Sequence, residues 1–221
     1  ASCMVSCGDA DGAVTGNTRR YGSSLEKIKK VVEPRPGEIM FGLNMIVNKG
    51  KTVFVGDTSV NEYPSSEELA EIAISSARVV RLFGFDPKVA FVSHSTFGQP
   101  LTSRTKHIKN AVDILKEKNV DFKFDGDMQP DVALNNQYKE LYPFSEIVGN
   151  ANILIMPGQH SAAISYKMMK ELGGAKVIGP LLIGLGQPIE IAPLRSSTSD
   201  ILNLASVAAY SASVISYNTK N

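Results

Sequence analysis

Residues 50–91 constrain the fold of this chain more than any other stretch, because they predict a complete strand, a helix and a second strand. The β-branched and aromatic run 52–55 is typical of a strand and ends in turn-forming residues. Ser65 and Glu68 then supply the S-x-x-E pattern of a capping box, and the helix that follows has an apolar face. Gly84 ends that helix before the second strand begins. Units of this kind build parallel α/β sheets.

In such sheets, ligands bind in the loops that follow the carboxyl ends of the strands. The first strand is followed by Asp57, and the second by the small, polar loop 93–98. That loop leads into a helix that begins near Thr102, so its hydroxyl and backbone donors suit an anion. It lacks the G-x-x-x-x-G-K-[ST] pattern of a P-loop, and His94 fits a packed residue as well as a catalyst. We predict these ligand-binding residues: Asp57, Ser95, Thr96 and Gly98.

The rest of the sequence supplies further elements of the same kind. We predict helices at residues 23–32, 66–83, 103–118, 130–142, 161–172 and 200–215. We predict strands at residues 38–47, 52–55, 88–93, 122–124, 151–156 and 179–185, the last extended by 188–191. Residues 48–50 turn the first strand back into the second, which indicates a hairpin. The expected fold is α/β: a mainly parallel sheet flanked by helices, with one antiparallel hairpin and with runs 53–55, 89–92 and 151–156 at its centre.

The N-terminal motif, residues 5–16, predicts a strand that ends in a loop rich in glycine and aspartate. Two carboxylates in such a loop could bind a cation or orient a ligand, although loops of this composition are also common at surfaces. Arg19 and Arg20 follow at the mouth of a helix, where guanidinium groups suit phosphate. Adjacent arginines are more often a solvated helix end, and we keep Arg19 as a ligand-binding candidate.

Charge and composition exclude several classes of function. The chain has 221 residues with 43% hydrophobic and 20% charged residues, as is ordinary for a soluble globular protein. Its net charge of +1 gives no electrostatic reason to expect nucleic acid or a membrane as partner. No apolar run approaches the roughly 20 residues of a membrane-spanning helix. Cys3 and Cys7 fit reduced cysteines better than a metal site, since structural zinc needs about four ligands, so we expect a cytoplasmic protein without a metal.

Several segments, in their order and spacing, resemble the phosphotransacetylase (phosphate acetyl/butyryltransferase) family. They are GDADGAVTG, VFVGDTSVNEYPSSEELAEIAISSA, KVAFVSHSTFG, FDGDMQPDVAL, NILIMPGQHSAAISYKMMKELGG, GPLLIGLGQPIEI and SDILNLASVAAYSA. Within that family the chain looks most like the C-terminal phosphotransacetylase-like domain of bacterial NADP-dependent malic enzymes. One reason is the S-T-F-G loop, where active transacetylases tend to carry lysine and glycine.

The resemblance implies a phosphotransacetylase or isocitrate-dehydrogenase-like sheet, two α/β subdomains with a cleft between them, and acetyl-CoA as ligand. It implies residues 1–197 as the second subdomain and residues 198–221 as a helix that returns to a first subdomain missing from this sequence. We therefore expect a fragment of a longer protein that forms homodimers or higher homo-oligomers. An N-terminal malic-enzyme domain in the parent chain would hold NADP and a divalent metal.

Active members of the family carry S-R-G shortly before an aspartate and an isoleucine. The arginine stabilises the acetyl-phosphate oxyanions, and the aspartate is proposed as the base for the CoA thiol. Asp200 matches that aspartate, but Pro193 and Leu194 occupy the serine and arginine positions. Arg195 lies one residue closer to Asp200 than the family's arginine does. A second family arginine has no counterpart, because Leu25 lies near its register. The resemblance thus implies Asp200 and Arg195 as catalytic candidates within a degraded motif.

Three functional hypotheses follow from this resemblance. The first is an acetyl-CoA-binding, regulatory and dimerising domain of a malic enzyme, in which acetyl transfer is weak or absent. The alternative is an active phosphate acetyltransferase that converts acetyl-CoA and phosphate to acetyl phosphate and CoA, with Arg195 replacing the missing arginine. The third is a structural dimerisation module with an empty cleft. Measuring the release of CoA thiol from acetyl-CoA in phosphate buffer distinguishes the first hypothesis from the second. Absence of CoA binding would favour the third hypothesis.

Overall fold

The structure, a computed structural model, describes residues 1–218, with the side chains of Lys139 and residues 215–218 left out. The strands are β1 (Ala13–Gly16), β2 (Phe41–Asn48), β3 (Lys51–Gly56), β4 (Lys88–Val92), β5 (Lys123–Met128), β6 (Ile153–Ile155), β7 (Lys176–Ile183) and β8 (Ile189–Ala192). The helices are α1 (Ser2–Ser6), α2 (Tyr21–Lys29), α3 (Ser66–Leu82), α4 (Ser103–Glu117), α5 (Pro130–Leu134), α6 (Gln159–Glu171) and α7 (Thr198–Asn218). No helix within the described residues is both long enough and apolar enough to span a bilayer.

The chain forms two compact units. Unit 1 contains residues 1–44 together with the chain from Ile178 onward, and unit 2 contains residues 45–177. The chain passes from unit 1 to unit 2 within β2 and returns within β7. The predicted division into residues 1–197 and 198–221 concerns the relation of this chain to a longer protein, and it stays a prediction.

The main sheet has the strand order β5-β4-β6-β3-β2-β7. β3 and β4 both pair with β6 in parallel, and β4 also pairs in parallel with β5. β3, β4 and β6 therefore lie at the centre, which confirms the prediction made from their continuous apolar runs. Buried side chains from these strands form the core of unit 2, because strands covered by helices on both faces bury both rows of side chains.

The predicted hairpin is confirmed by β2 and β3, which are neighbours in the sheet and are joined by two residues. Those residues, Lys49 and Gly50, have φ angles of 48° and 76°. Positive φ at both central positions is the geometry of a type I′ turn, whose twist matches that of two antiparallel strands. Gly50 adopts this conformation without the steric cost that a side chain brings.

α3 begins where its sequence predicts. The Ser65 hydroxyl accepts the Glu68 N–H at 3.1 Å, and the Glu68 carboxylate accepts the Ser65 N–H at 2.7 Å, so both halves of the capping box form. The helix buries its apolar face, which consists of Leu69, Ile72, Ala73, Ala77 and Val80. α4 has an equivalent start, because Thr102 caps the N–H of Thr105 at 3.2 Å. Capping hydrogen bonds therefore fix the residue at which each of the two helices begins.

Unit 1 departs from the sequence prediction at two places. The predicted strand at the start of residues 5–16 is wrong, because Ser2–Ser6 form a short helix and the strand begins only at Ala13. The prediction that residues 188–191 extend the strand before them is also wrong. β8 leaves the main sheet and pairs in parallel with β1, from Ala13 opposite Ile189 to Gly16 opposite Ala192.

In unit 2, the predicted helix 130–142 is wrong in its length. α5 ends at Leu134 because Asn135 is extended, with φ −127° and ψ 111°. A 3-10 segment, Asn136–Leu141, follows it. In unit 1, α7 extends to Asn218, beyond the predicted end at residue 215. The structure does not describe the side chain of residue 215.

Candidate functional site

A cleft of about 670 Å³ lies in unit 2 at the carboxyl ends of its parallel strands. We call it the strand-end cleft, and it is lined by Glu62, Tyr63, Val92, Ser93, His94, Arg104, His107, Ile108, Pro130, Met156, Pro157, Gly158, His160 and Ser161. The loops after β3, β4, β5 and β6 all contribute to it, and so does the first half of α4. Its position is the one at which open parallel α/β sheets bind ligands.

The loop after β4 lies beside this cleft, but its predicted binding groups bond to neighbouring protein groups. The Ser95 hydroxyl donates to the Asp127 carboxylate in a very short contact, and the Gly98 N–H donates to the same carboxylate at 2.9 Å. Thr96 accepts the N–H of Gln129 at 3.3 Å. Asp127, at the end of β5, therefore fixes the loop. Of this loop, Ser93 and His94 line the strand-end cleft.

Asp57 has a similar internal role. Its side chain is 1% exposed and accepts the backbone N–H groups of Ser59, Val60 and Asn61 at 2.9, 3.1 and 2.6 Å. The Asn61 side chain donates to it at 2.8 Å. A buried carboxylate that accepts several N–H groups holds its loop in one conformation. Ligand binding by Asp57, Ser95, Thr96 and Gly98 stays a prediction, and none of the four lines the strand-end cleft.

Arg19, Arg195 and Asp200 all belong to unit 1, where they follow the parallel strands β1 and β8. The N–H of Arg195 donates to the carbonyl of Asn17 at 3.2 Å, so the two strand-end loops are joined. Both arginines are exposed, and the structure records no ion pair for either of them within residues 1–218. Two guanidinium groups that follow the same ends of two paired strands suit an anion with several phosphate oxygens. We name residues 193–200 the arginine loop.

Asp200 has a structural function in this loop. Its carboxylate accepts the backbone N–H and the hydroxyl of Ser197 at 2.9 and 2.8 Å. The Ser197 hydroxyl in turn accepts the Asp200 N–H at 3.2 Å. These reciprocal bonds form a capping box at the start of α7. The capping box explains why an aspartate lies at position 200 without requiring a catalytic role. A base role for Asp200 therefore stays a prediction.

We expect Asp200→Ala to lower the free energy of unfolding by about 1 kcal/mol, because it removes the side chain that satisfies the N–H of Ser197. Ser199→Ala, two residues into the same helix, is the control and is expected to leave stability unchanged. Urea denaturation measures both. Equal stabilities of Asp200→Ala and wild type would mean that the cap contributes nothing.

The sequence did not single out Tyr63, Arg104 or His107 as candidates, although all three line the strand-end cleft. A signal for two of them was present. Arg104 and His107 follow the Thr102 cap at a spacing of three residues, which places both on one face of a helix whose start was predicted. Within the described residues, no group of three or more His, Cys, Asp or Glu side chains is arranged to hold a metal.

The mainly parallel sheet with a cleft at its strand ends makes this an α/β protein, a class whose members bind ligands at that edge of the sheet. The chain belongs to the phosphate acetyl/butaryl transferase family, whose sequence model matches residues 1–209.

Individual relatives agree with this assignment. The chain is 48% identical over 212 residues to an NADP-dependent malic enzyme of Rhizobium meliloti (strain 1021), a match that covers 96% of this chain and 28% of that enzyme. It is 33% identical over 217 residues to a phosphate acetyltransferase of Clostridium acetobutylicum, of which it covers 65%. The crystal structure of a phosphotransacetylase from Streptococcus pyogenes superposes with a TM-score of 0.88 at 30% identity, over 95% of this chain and 65% of that protein. The chain thus spans little more than a quarter of the malic enzymes that it matches.

Proposed function

We propose that this chain is the phosphotransacetylase-like domain of a longer NADP-dependent malic enzyme, in which it binds acetyl-CoA as a regulatory and dimerising module. The observation that carries the proposal is the match to malic enzymes, since 96% of this chain aligns at 48% identity with 28% of one of them. The parent chain would oxidise and decarboxylate malate to pyruvate, in the cytoplasm, with NADP and a divalent metal held in a separate N-terminal domain.

The arginine loop supports acetyl-CoA as the ligand of this module. Arg19 and Arg195 follow the ends of the same strand pair and are exposed, so they can reach the phosphates of CoA. Binding at this loop would alter malate oxidation only if acetyl-CoA has different affinities for two states of the parent enzyme.

Arg195→Ala is expected to weaken acetyl-CoA binding by about 1–3 kcal/mol, the usual scale for a charge-assisted contact. Thermal stability should stay the same, because the side chain is exposed and belongs to no core. Alanine is preferred to glycine here, since Arg195 has a φ of 62° and glycine would relax that conformation. Isothermal titration of the 221-residue chain gives the affinities.

Lys30→Ala is the matched control, because Lys30 is an exposed cation at the opposite end of α2 from Arg19. It is expected to bind acetyl-CoA as the wild type does. Equal affinities of wild type and Arg195→Ala would remove the arginine loop from the ligand site. In the parent enzyme, Arg195→Ala should also blunt the response of malate oxidation to acetyl-CoA.

An active phosphate acetyltransferase is the second candidate, and one observation favours it. Arg195 lies in the loop after β8 and Asp200 in the first turn of α7, so the chain retains a guanidinium and a carboxylate five residues apart in sequence. Preorganised positive charge at the reacting oxyanions is a principal source of rate in such transfers. Release of thiol from acetyl-CoA in phosphate buffer, lost in Arg195→Ala, would support this candidate. Saturable binding without thiol release would support the regulatory module.

A further inference from the structure

The two cysteines of the sequence, Cys3 and Cys7, lie one turn apart on the same face of α1. The Cys7 N–H donates to the Cys3 carbonyl at 2.8 Å, which is the hydrogen bond of an α-helical turn. Val5 lies between them in sequence, on the opposite side of the helix, and is 3% exposed. Burial of Val5 therefore orients α1 so that both cysteines face the solvent, and both are exposed.

Both thiols are free, and the geometry of the helical turn keeps them from bonding to each other. Residues four apart on a helix hold their Cβ atoms about 5–6 Å apart. A disulfide requires about 3.5–4.5 Å between the same two atoms. The helix would have to unwind before this bond formed. While α1 is intact, the pair is a dithiol whose sulfur atoms lie on one side of the helix, where both can bind the same ion.

The donors present in unit 1 decide which ion such a dithiol suits. Thiolates are soft ligands that favour Cu(I) and zinc. Structural zinc takes four ligands, and within the described residues no group of three or more His, Cys, Asp or Glu side chains is arranged to hold a metal. All three histidines of the sequence, His94, His107 and His160, belong to unit 2. Cu(I) differs from zinc because two thiolates, in line with the ion, complete its coordination.

We propose that Cys3 and Cys7 form a two-thiolate site for Cu(I) on the surface of unit 1. Each thiol releases its proton when the ion binds, so one Cu⁺ and two thiols give a complex of charge −1 and two protons. No electron is transferred in this step, and no oxidant or reductant takes part. The site goes beyond the proposed function, since it uses no residue of the arginine loop and does not depend on acetyl-CoA.

The experiment titrates Cu(I) into the 221-residue chain, in the absence of oxygen, against a coloured Cu(I) chelator of known affinity. The wild type should withdraw one ion per chain. Cys3→Ser and Cys7→Ser should each weaken binding at least about hundredfold, because the second thiolate of the same helix acts at a high effective concentration. Met4→Leu is the control for a soft sulfur atom. Met4 is 52% exposed but lies off the cysteine face of α1, so its loss should leave the affinity unchanged.

A double variant, Ser2→Cys with Cys3→Ser, tests whether the spacing matters. It keeps two thiols but turns one of them by about 100° around the helix axis. It should therefore bind Cu(I) at least about tenfold more weakly than the wild type. Hydrogen exchange gives a second measurement that needs no variant. Cu(I) should slow exchange of the Cys7 amide, because the ion joins the two ends of the turn that this amide closes.

The proposal is overturned if the wild type takes no Cu(I) from the chelator, or if either single serine variant binds as tightly as the wild type. Wild-type affinity in the double variant would also contradict it, because the helical spacing would then have no effect. Two ions per chain would mean that the thiols bind independently, and one ion per two chains would place the site between molecules; both results exclude the proposed pair. Thermal midpoints check that every variant is folded.

Discussion

Replacing Glu190 by glutamine is expected to raise the free energy of unfolding, and the gain should grow as the pH rises from about 4.5 to about 8. Glu190 lies in β8 with 4% of its surface exposed. One of its carboxylate oxygens accepts the N–H of Leu182 at 2.9 Å. Burial raises the pKa of the Glu190 carboxyl to about 8, against the smaller opposite effect of that hydrogen bond.

The direction of the pH effect follows from proton binding. Between the two pKa values, 4.5 and about 8, the folded state keeps the Glu190 proton while the unfolded state loses it. Stability therefore falls as the pH rises through this window. One pKa unit corresponds to about 1.4 kcal/mol, so above pH 8 the free energy of unfolding is lowered by at most roughly 4–5 kcal/mol. Glutamine stays neutral and can still accept the Leu182 N–H, although its amide group needs an acceptor of its own.

We therefore expect Glu190→Gln to match the wild type near pH 4.5 and to be more stable by about 1–4 kcal/mol at pH 8. Urea denaturation at several pH values measures the difference. Glu26→Gln is the matched control, because Glu26 is exposed on α2 in the same unit. Its stability should differ from wild type by a small, constant amount. A difference at Glu190 that does not change with pH would show that this carboxyl is ionised in the folded protein.

Gly16→Ala is expected to destabilise unit 1 by more than about 3 kcal/mol. Gly16 ends β1 with a φ of 106°, a conformation that residues with a Cβ rarely adopt. A Cβ at this position would collide with the backbone carbonyl of Ala192 in β8. That carbonyl also accepts the N–H of Asn17 at 2.9 Å, so the strands β1 and β8 cannot separate here without breaking this hydrogen bond. The arginine loop follows β8 directly, so the acetyl-CoA binding that we propose for this loop should weaken as well.

Gly37→Ala separates the two causes of this loss. Gly37 has a φ of 75°, but nothing lies within 4 Å of a Cβ at that position. The control therefore measures the backbone strain alone, about 1–2 kcal/mol. Thermal and urea denaturation of both variants give the comparison. Equal losses in Gly16→Ala and Gly37→Ala would mean that β1 and β8 move apart at little cost.

The sequence predicted those elements whose signals are local. The Ser65 capping box and the two-residue turn at Lys49 and Gly50 depend on a few adjacent residues, and both are confirmed. The parallel order of the central strands followed from continuous apolar runs. The pairing of β8 with β1 depends instead on contacts between distant residues, which periodicity does not reveal. The break at Asn135 also escaped prediction, because the helical pattern continues past it.

The candidate site was predicted as a region but not residue by residue. The loops after β3 and β4 do lie beside the strand-end cleft. Sequence alone does not show that Ser95 and Gly98 bind Asp127, because that carboxylate comes from another strand. For the same reason it does not show that Arg104 and His160, which are far apart in sequence, line one cavity. Convergence of the arginine loop with the loops of unit 2 stays a prediction.

The interruption of unit 1 by unit 2 has a consequence for how the protein is made. Residues 45–177 are contiguous, so they can fold on the ribosome as soon as residue 177 has left the exit tunnel. β1 is synthesised before them but pairs with β8, which is synthesised after them. β1 must therefore wait for its partner strand while residues 45–177 fold. During that interval β1 has no partner strand, which leaves it open to chaperones and proteases.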